Sequence, residues 1–372
     1  MKIKSIEWQG VRVPFREPFI TSAGTFRARH SLLIWLHTDT GVIGVGEAPS
    51  SLGQGEAGLT RLADTLQGLS ASLLGLAVEK VPGRARKQLA DRPENSALRF
   101  ALETASYDAL GRLKEIPVSG LLGGQPRPVP VNAIIGATSP QQTSKIARQA
   151  AAEGFTTLKL KVGGRPIHDD EAMLEAVRAA VGKEVKLRLD ANQAWDVEES
   201  IANIRRLAAF DSEYIEEPLK AGALSGLAEV RRSSSIPIAA DESLASRDDA
   251  LRIIEADAAD VLVLKTARVG GLEEVRAITE LAEGRKLRSV VTSSLETGVG
   301  LAASLHLAAA TLEASEVCGL ATGALLEHDL LTTPLLPRRG LLHTPSLPGL
   351  GITIDEDARN RYRVAIEGRL VG

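Results

Sequence analysis

Three observations predict an α/β fold, a (β/α)8-type barrel with an α+β region attached to it. From Val129 onward, short β-branched and leucine-rich runs alternate with amphipathic helical stretches, the pattern of right-handed βαβ units around a parallel sheet. Eight such runs fall within residues 126–321, the number and spacing of a closed barrel. The first 50 residues follow a different rule, alternating apolar with polar side chains, and the next stretch to residue 123 is helical, so a second unit precedes the barrel.

The elements follow in order. KIKSIEWQGVRVPF and HSLLIWLHTDTGVIGVGEA read as strands, with Thr40-Gly41 as a turn inside the second stretch. PFITSAGTFRAR, residues 18–29, is small and polar with embedded aromatics and reads as a loop. Over residues 94–116, Leu98, Ala101, Leu102, Ala105, Ala109 and Leu113 share a face of a helix that Asn95 or Ser96 would cap. The barrel strands are expected at 129–135, 156–162, 185–191, 213–217, 236–241, 260–265, 288–293 and, weakly, 316–321. The tail, with GITI and YRVAI, is expected to return in part to the first unit. The division is then 1–125, 126–321 and 322–372.

Composition removes several function classes. The 372 residues are 44% hydrophobic and 24% charged, which excludes disorder over most of the chain. A net charge of -3 gives no reason to expect nucleic acid or an anionic membrane. The lone Cys318 permits neither an intrachain disulfide nor a thiolate zinc site. The start lacks the apolar core of a signal peptide, and no run of about 18 apolar residues offers a membrane span, so the expected location is cytoplasmic.

Charge inside a barrel strand needs a reason, and here it recurs at one place. Lys161 ends the second strand, Asp190 the third, Glu216 or Glu217 the fourth, Asp241 the fifth and Lys265 the sixth. The steps from Asp190 to Glu216, Asp241 and Lys265 are 26, 25 and 24 residues, one βα unit each. Such positions stand side by side on the C-terminal rim, where barrel active sites are built. Three converging carboxylates repel, and a hard divalent cation removes that cost; all-oxygen ligation favours Mg²⁺, with Mn²⁺ as the alternative. Glu216 and Glu217 face opposite ways on a strand, and the pattern does not choose between them. Lys159 and Lys161 share a face, and nearby cations would lower a lysine's pKa and free an amine as general base. Lysines on both sides of a metal suit proton abstraction next to a carboxylate. A Schiff-base aldolase using Lys161 or Lys265, and a binding barrel without turnover, are the rival classes. None of the six histidines falls at a predicted strand end. Gly163-Gly164 and Gly270-Gly271 are weak phosphate-loop candidates, and Ser293, Ser294 and Glu296 stand at the seventh strand's end.

TLKLKVG, DAN at 190–192, IEEP at 215–218, ADES at 240–243, KTARVGG at 265–271 and SSLETGVG at 293–300 together resemble the enolase superfamily, muconate-lactonizing-enzyme subgroup. GVIGVGEAP and ENSALRFALETASYDALGRLKEIPVSGLLGG extend the resemblance over nearly the whole chain. It implies a modified (β/α)8 TIM-type barrel under an α+β capping domain, with Mg²⁺ on Asp190, Glu216 and Asp241. It also implies Lys161 and Lys265 as acid/base lysines, Lys159 in support, and Asn192 and Glu242 behind the ligands. PFITSAGT, SSLETGVGLAASLHLAAA and CGLATGALLEHDL resemble the o-succinylbenzoate synthases of menaquinone biosynthesis. The activity so implied is a lyase reaction, dehydration of 2-succinyl-6-hydroxy-2,4-cyclohexadiene-1-carboxylate. N-Succinylamino-acid racemase, dipeptide epimerase and muconate cycloisomerase are alternatives in the same subgroup. Dipeptide epimerases usually carry an Asp-x-Asp pair after the eighth strand, where this chain reads Gly319-Leu320-Ala321-Thr322-Gly323. The expected partner is a small carboxylate, with neither nucleic acid nor membrane and with a homo-oligomer allowed for.

Five of the chain's 12 aromatic residues (Trp8, Phe15, Phe19, Phe26, Trp35) lie in its first 35. Phe19, Thr21 and Ser22 belong to the loop expected to close over the barrel mouth and exclude water. Trp8 and Trp35 suit the core of the capping domain.

Overall fold

The computed structural model describes residues 1–372 apart from 22, 23, 90–92, 137, 138 and the side chains of 93 and 94. β1 (Ile3–Thr21), β2 (Gly24–Thr38) and β3 (Ile43–Pro49) form an antiparallel meander, and the C-terminal strand Arg363–Val371 pairs with the outer edge of β1. Helices α1 (Gly55–Leu73), α2 (Val81–Gln88) and α3 (Pro93–Lys114) cover one face. Ile6, Trp8, Leu32 and Ile34 of the sheet pack there with Leu59, Leu66, Leu98 and Leu102 of the helices. The glycines of β3 have a purpose. A Cβ on Gly46 would stand 1.9 Å from the Ala101 carbonyl oxygen, so α3 lies on the strand only because that carbon is missing. α3 opens at Pro93, which puts Asn95 and Ser96, the expected caps, inside its first turn.

Residues 18–21 and 24–29 are strand, not loop. They prolong β1 and β2 into a hairpin arm in which Phe19 faces Phe26, Ile20 faces Thr25 and Thr21 faces Gly24. The register shifts between Pro14 and Phe19, and beyond that shift Ile20 is 61% exposed. The arm leaves the sheet and covers no core of its own, so its sequence lacks the alternation that marks a half-buried strand.

A short helix, α4 (Val118–Leu121), leads to the barrel. β4 (Pro128–Pro130) is followed by seven parallel strands: β5 (Ala133–Ile135), β6 (Thr157–Lys161), β7 (Lys186–Asp190), β8 (Ser212–Glu216), β9 (Ile238–Ala240), β10 (Val261–Lys265) and β11 (Arg288–Thr292). The helices between and after them are α5 (Pro140–Ala152), α6 (Ile167–Val181), α7 (Val197–Leu207), α8 (Leu224–Ser233), α9 (Arg247–Glu255), α10 (Thr266–Val269) with α11 (Leu272–Glu283), and α12 (Gly298–Thr311). Two expectations change. The run 129–135 is split, because Pro128 and Pro130 have no N–H to give and β4 pairs instead with β12 (Leu341–His343). The eighth strand, 316–321, is reduced to Cys318 and Gly319, whose amides reach Pro130 O at 2.8 Å and Val291 O at 2.9 Å and close the ring. Inside the ring Tyr214, Ala239, Val261, Val263 and Val290 form a small cluster of their own. No helix among the described residues is long and apolar enough to cross a membrane.

Two glutamates lock the capping domain onto the barrel. Glu47 of β3 accepts hydrogen bonds from Thr297 N (2.8 Å), Thr297 Oγ1 (2.8 Å) and Gly300 N (2.9 Å), so it caps α12. Glu103 of α3 accepts from Leu272 N at 2.7 Å and Glu273 N at 3.2 Å and caps α11. A Cβ on Gly271 would lie 1.7 Å from Glu103 Oε2, so the glycine pair here makes room for an internal carboxyl group. At the other glycine pair, Gly163 N donates to Asp170 at 2.7 Å.

Burial pushes the Glu103 carboxyl up to about 8, against the hydrogen bond from Glu273 and with the help of that residue's charge. The group's contribution is complete below the ordinary glutamate value of 4.5 and is lost as pH rises through about 8, since the folded protein must then release the proton. Urea unfolding across that window is expected to show stability falling with pH at up to about 1.4 kcal/mol per unit. Glu217 and Glu296, each raised to about 7, add to the slope below that pH, so Glu103→Gln is expected to flatten it chiefly between about 7 and 8; an unchanged slope there would assign the pH dependence elsewhere.

Candidate active site

Alternation along the strands builds the site. Residues two apart share a face, so Arg188 and Asp190 of β7, and Tyr214 and Glu216 of β8, look into the ring, while Leu189 and Ile215 pack outward. Lys161, Asp190 and Glu216 stand in register on neighbouring strands. They open into a cavity of approximately 980 Å³ between barrel and cap. Lys159, Lys265, Asn192, Glu242, Ser293 and Ser294 also line it, and Phe19 and Thr21 approach from the hairpin arm. Ser22 lies outside the described residues.

Each carboxylate of the triad is met by a cation. The Lys159 ammonium donates to both Glu216 oxygens at 2.7 Å and lies 3.2 Å from Asp190 Oδ2. Lys265 donates to Asp241 Oδ2, and Arg268 Nη1 donates to Asp241 Oδ1 at 2.7 Å. Lys161 differs, because its ammonium donates to a neutral amide, Asn192 Oδ1. Asn192 in turn donates to Glu242 Oε1 at 3.2 Å, and the second Glu242 oxygen is buried without a partner.

The field follows from this pairing. Burial disfavours the Lys159 ammonium, but Asp190 and Glu216 outweigh it and hold the amine well above the ordinary lysine range. That reverses the expectation of a depressed lysine at this position: Lys159 is a fixed cation. Burial, with the Asp190 and Asp241 charges, drives the Glu216 carboxyl well upward against Lys159. Burial also acts to raise Asp241, yet Arg268, Lys265 and Lys159 hold it far below the usual carboxylate range. Glu242 is raised, first by burial and then by Asp241.

Glu217 is separated from this group by the strand's own alternation. It turns back at φ 39° and accepts from Asp241 N (2.7 Å), Ser243 N (3.1 Å) and Ser243 Oγ, so it braces the next loop. Glu296 is also off the cavity: it is fully buried, and its Oε2 accepts from Ser294 N at 2.8 Å. Ser293 Oγ shares a hydrogen bond with Thr322 Oγ1 at 2.6 Å on the cavity wall. No histidine lines the cavity among the described residues, and Cys318 is buried.

Three cavity residues escaped the sequence reading. Arg268 was visible as the basic residue one helical turn past Lys265 in KTARVGG. Tyr214 was visible as the inward neighbour of Glu216. Arg29 was hidden in the stretch read as a loop.

The donor set fits a hard divalent cation: three carboxylates from successive strands, with no sulfur or imidazole among them. One ammonium nitrogen touching both Asp190 and Glu216 shows that these two converge on a single cationic point. Asp241 is turned toward Lys265 and Arg268, so no cluster of three acidic, His or Cys groups closes on one ion-sized point among the described residues.

A capped barrel with lysines and carboxylates facing each other across its mouth defines a class of enzyme, and comparison with known proteins identifies it. Residues 142–358 match the family model Enolase C-terminal domain-like, and residues 5–123 match Mandelate racemase / muconate lactonizing enzyme, N-terminal domain. The chain belongs to the enolase superfamily, in its muconate-lactonizing-enzyme subgroup. An o-succinylbenzoate synthase of Thermobifida fusca is 47% identical over 225 residues, 59% of this chain and 68% of that protein. The dipeptide epimerase of Enterococcus faecalis, solved complexed with Mg and the dipeptide L-Leu-L-Tyr, superposes with a TM-score of 0.87 at 30% identity, covering 95% of this chain and 100% of that one. The N-succinyl Arg/Lys racemase of Bacillus cereus superposes with a TM-score of 0.90 at 26% identity and 100% coverage of both. Epimerase and racemase thus share this architecture, and a synthase shares much of its sequence.

Phe19 stacks on Phe15 with ring centroids 5.5 Å apart and forms part of the cavity wall from a solvent-flanked arm. Phe19→Ala is expected to raise KM about 10-fold or more while moving Tm by only a few degrees. A large fall in Tm with unchanged KM would return Phe19 to a purely structural place.

Proposed function

We propose that the chain is a metal-dependent o-succinylbenzoate synthase, converting 2-succinyl-6-hydroxy-2,4-cyclohexadiene-1-carboxylate to 2-succinylbenzoate and water. The observation that carries this reading is the shared cavity in which Lys161, free of any carboxylate partner, faces a triad held by Lys159 and Lys265. Similarity to the Thermobifida fusca synthase supports it. So does the wall at Gly319–Gly323, which carries no carboxylate to hold a substrate ammonium.

Asp190, Glu216 and Asp241 would hold Mg²⁺, or Mn²⁺ in its place, as the Mg-bound epimerase structure encourages. When bound, the ion supplies Lewis-acid stabilisation of negative charge on the substrate carboxylate. Lys161 Nζ takes the ring proton α to that carboxylate; the C–H electron pair becomes a double bond from the ring carbon to the carboxylate carbon as the C=O π pair moves onto oxygen, giving an enediolate. Asn192 orients the amine for this transfer, with Glu242 behind it. The pair then forms the last ring double bond as the C–O bond breaks, and the departing hydroxide recovers the proton from Lys161 as water. The fixed charges of Lys159 and Lys265 favour the electron-rich intermediate. Aromatisation drives the step.

A second reading has its own observation. Lys265, reaching the triad from the opposite side of the ring, is placed to deliver a proton to the other face of a planar intermediate, as racemisation of an N-succinyl amino acid requires. Ultraviolet absorbance is expected to show turnover of the cyclohexadiene that EDTA abolishes and Mg²⁺ restores. Deuterium wash-in from N-succinyl amino acids tests the second activity. Lys161→Ala is expected to lower turnover roughly 10²- to 10⁴-fold while calorimetry still detects Mg²⁺ binding. EDTA-resistant turnover, or substantial activity in Lys161→Ala, would sink the mechanism.

A further inference from the structure

Arg29 is a buried cation with nothing to bond. It sits on β2 at the root of the hairpin arm, is 3% exposed, and lines the cavity. A guanidinium offers five donors in a planar fork. Among the described residues none of them makes a hydrogen bond, no carboxylate lies within the 4.0 Å of an ion pair, and Nε is shut off from solvent without a partner. Two acidic residues are near enough to feel its charge, Glu296 and Glu47. Both are committed elsewhere. Glu47 gives its oxygens to the first turn of α12, and Glu296 gives one to Ser294 N, its other oxygen being buried and unbonded. Burial lowers the Arg29 pKa, and those two charges only partly offset it. An unsatisfied buried cation is costly unless the molecule uses it, and the open side of Arg29 is the cavity.

The cavity's lining leans positive. Among the described residues six cationic side chains line it against four acidic ones (Asp64, Asp190, Glu216 and Glu242), and one of the six, Arg61, is exposed and donates to Gln54 at 2.6 Å. Lys159, Lys265 and Arg268 are occupied by the triad. Lys161 is held for the reacting carbon. Among the described residues, Arg29 is the buried cation of the lining left to meet a second anion.

We propose that Arg29 binds the distal carboxylate of a dicarboxylate substrate, the end of the succinyl chain remote from the reacting carbon. This deepens the proposed function and rests on it for the identity of the reacting carboxylate. A bidentate guanidinium–carboxylate pair in a water-poor cavity fixes the chain's orientation and rejects substrates whose tail ends in a methyl or an ammonium group. It serves an N-succinyl amino acid as well as a succinylated ring, since both carry the same tail.

The test uses two probes of the same shape, 2-succinylbenzoate and 2-butanoylbenzoate, which replaces the distal carboxylate by methyl. Calorimetry with Mg²⁺ present is expected to show the intact protein binding the dicarboxylate roughly 10- to 100-fold more tightly. Arg29→Met should abolish that preference while leaving the affinity for 2-butanoylbenzoate within about 3-fold, and Arg29→Lys should restore part of it. Equal weakening of both probes in Arg29→Met overturns the inference and makes the residue structural. If Arg29→Met fails to fold, the intact protein still decides, because equal affinity for the two probes overturns the inference. Failure of the intact protein to bind either probe defeats the synthase reading itself, a result distinct from the loss of preference.

Discussion

The structure turns on three buried carboxylates set on adjacent strands of one ring. At an effective dielectric near 20, two such charges about 4 Å apart repel by roughly 4 kcal/mol, so Asp190, Glu216 and Asp241 are tolerable together only among cations. The neighbouring strands supply them: Lys159 from β6, Lys265 from β10, and Arg268 from the short helix after β10. This requirement sorts the three lysines. Two are spent on the triad, and Lys161, pointing the same way as Lys159 one step nearer the mouth, is left with an amide. Chemistry at Lys161 is thus a consequence of how the charges beneath it are balanced.

The lid depends on a second set of carboxylates. Glu47 and Glu103 reach out of the capping domain to the N-termini of α12 and α11, where backbone amides without helical partners need an acceptor. The cap is thereby fixed at two helices that follow β10 and β11, the strands that bring Lys265 and Ser293. From that anchored sheet the hairpin arm extends over the cavity with Phe19 and Thr21 at its wall. Two helices of the barrel and the sheet that carries the hairpin arm are thus tied by the same kind of contact, a glutamate crossing between the two parts of the chain.

What the sequence made legible is what strand geometry makes periodic. Charges ending successive barrel strands at intervals of 26, 25 and 24 residues can only meet at one rim, and Lys-x-Lys can only share a face. The choice between Glu216 and Glu217 was invisible to that pattern, because either phase of β8 satisfies it. The hydrogen bonds of Glu217 to the Ser243 loop decide it in space. The hairpin arm was misread because a two-stranded ribbon without a core has no apolar face to alternate. Arg29 was lost with it, since a buried guanidinium looks like any surface arginine until its partners are counted. The eighth strand was weak in sequence for a physical reason: two residues suffice to close the ring when their amides bond on both sides.

The proposed dehydration and its racemase alternative both begin by lifting a proton next to a carboxylate, so the lower cavity does not separate them. The separation lies higher, where the rest of the substrate rests. There the wall after β11 offers Thr322 and small residues in place of acids, and the cap offers a guanidinium with its hydrogen-bonding capacity unspent. An ammonium tail beside Arg29 would meet a cation, with no carboxylate at Gly319–Gly323 to receive it; a carboxylate tail would meet a fork that lacks an acceptor. Electrostatics at Arg29 therefore favours a carboxylate end group over an ammonium, while the same lysines and triad serve beneath. On the proposed reading the reaction belongs to the barrel rim, and the choice of substrate to an arginine that the cap carries to it.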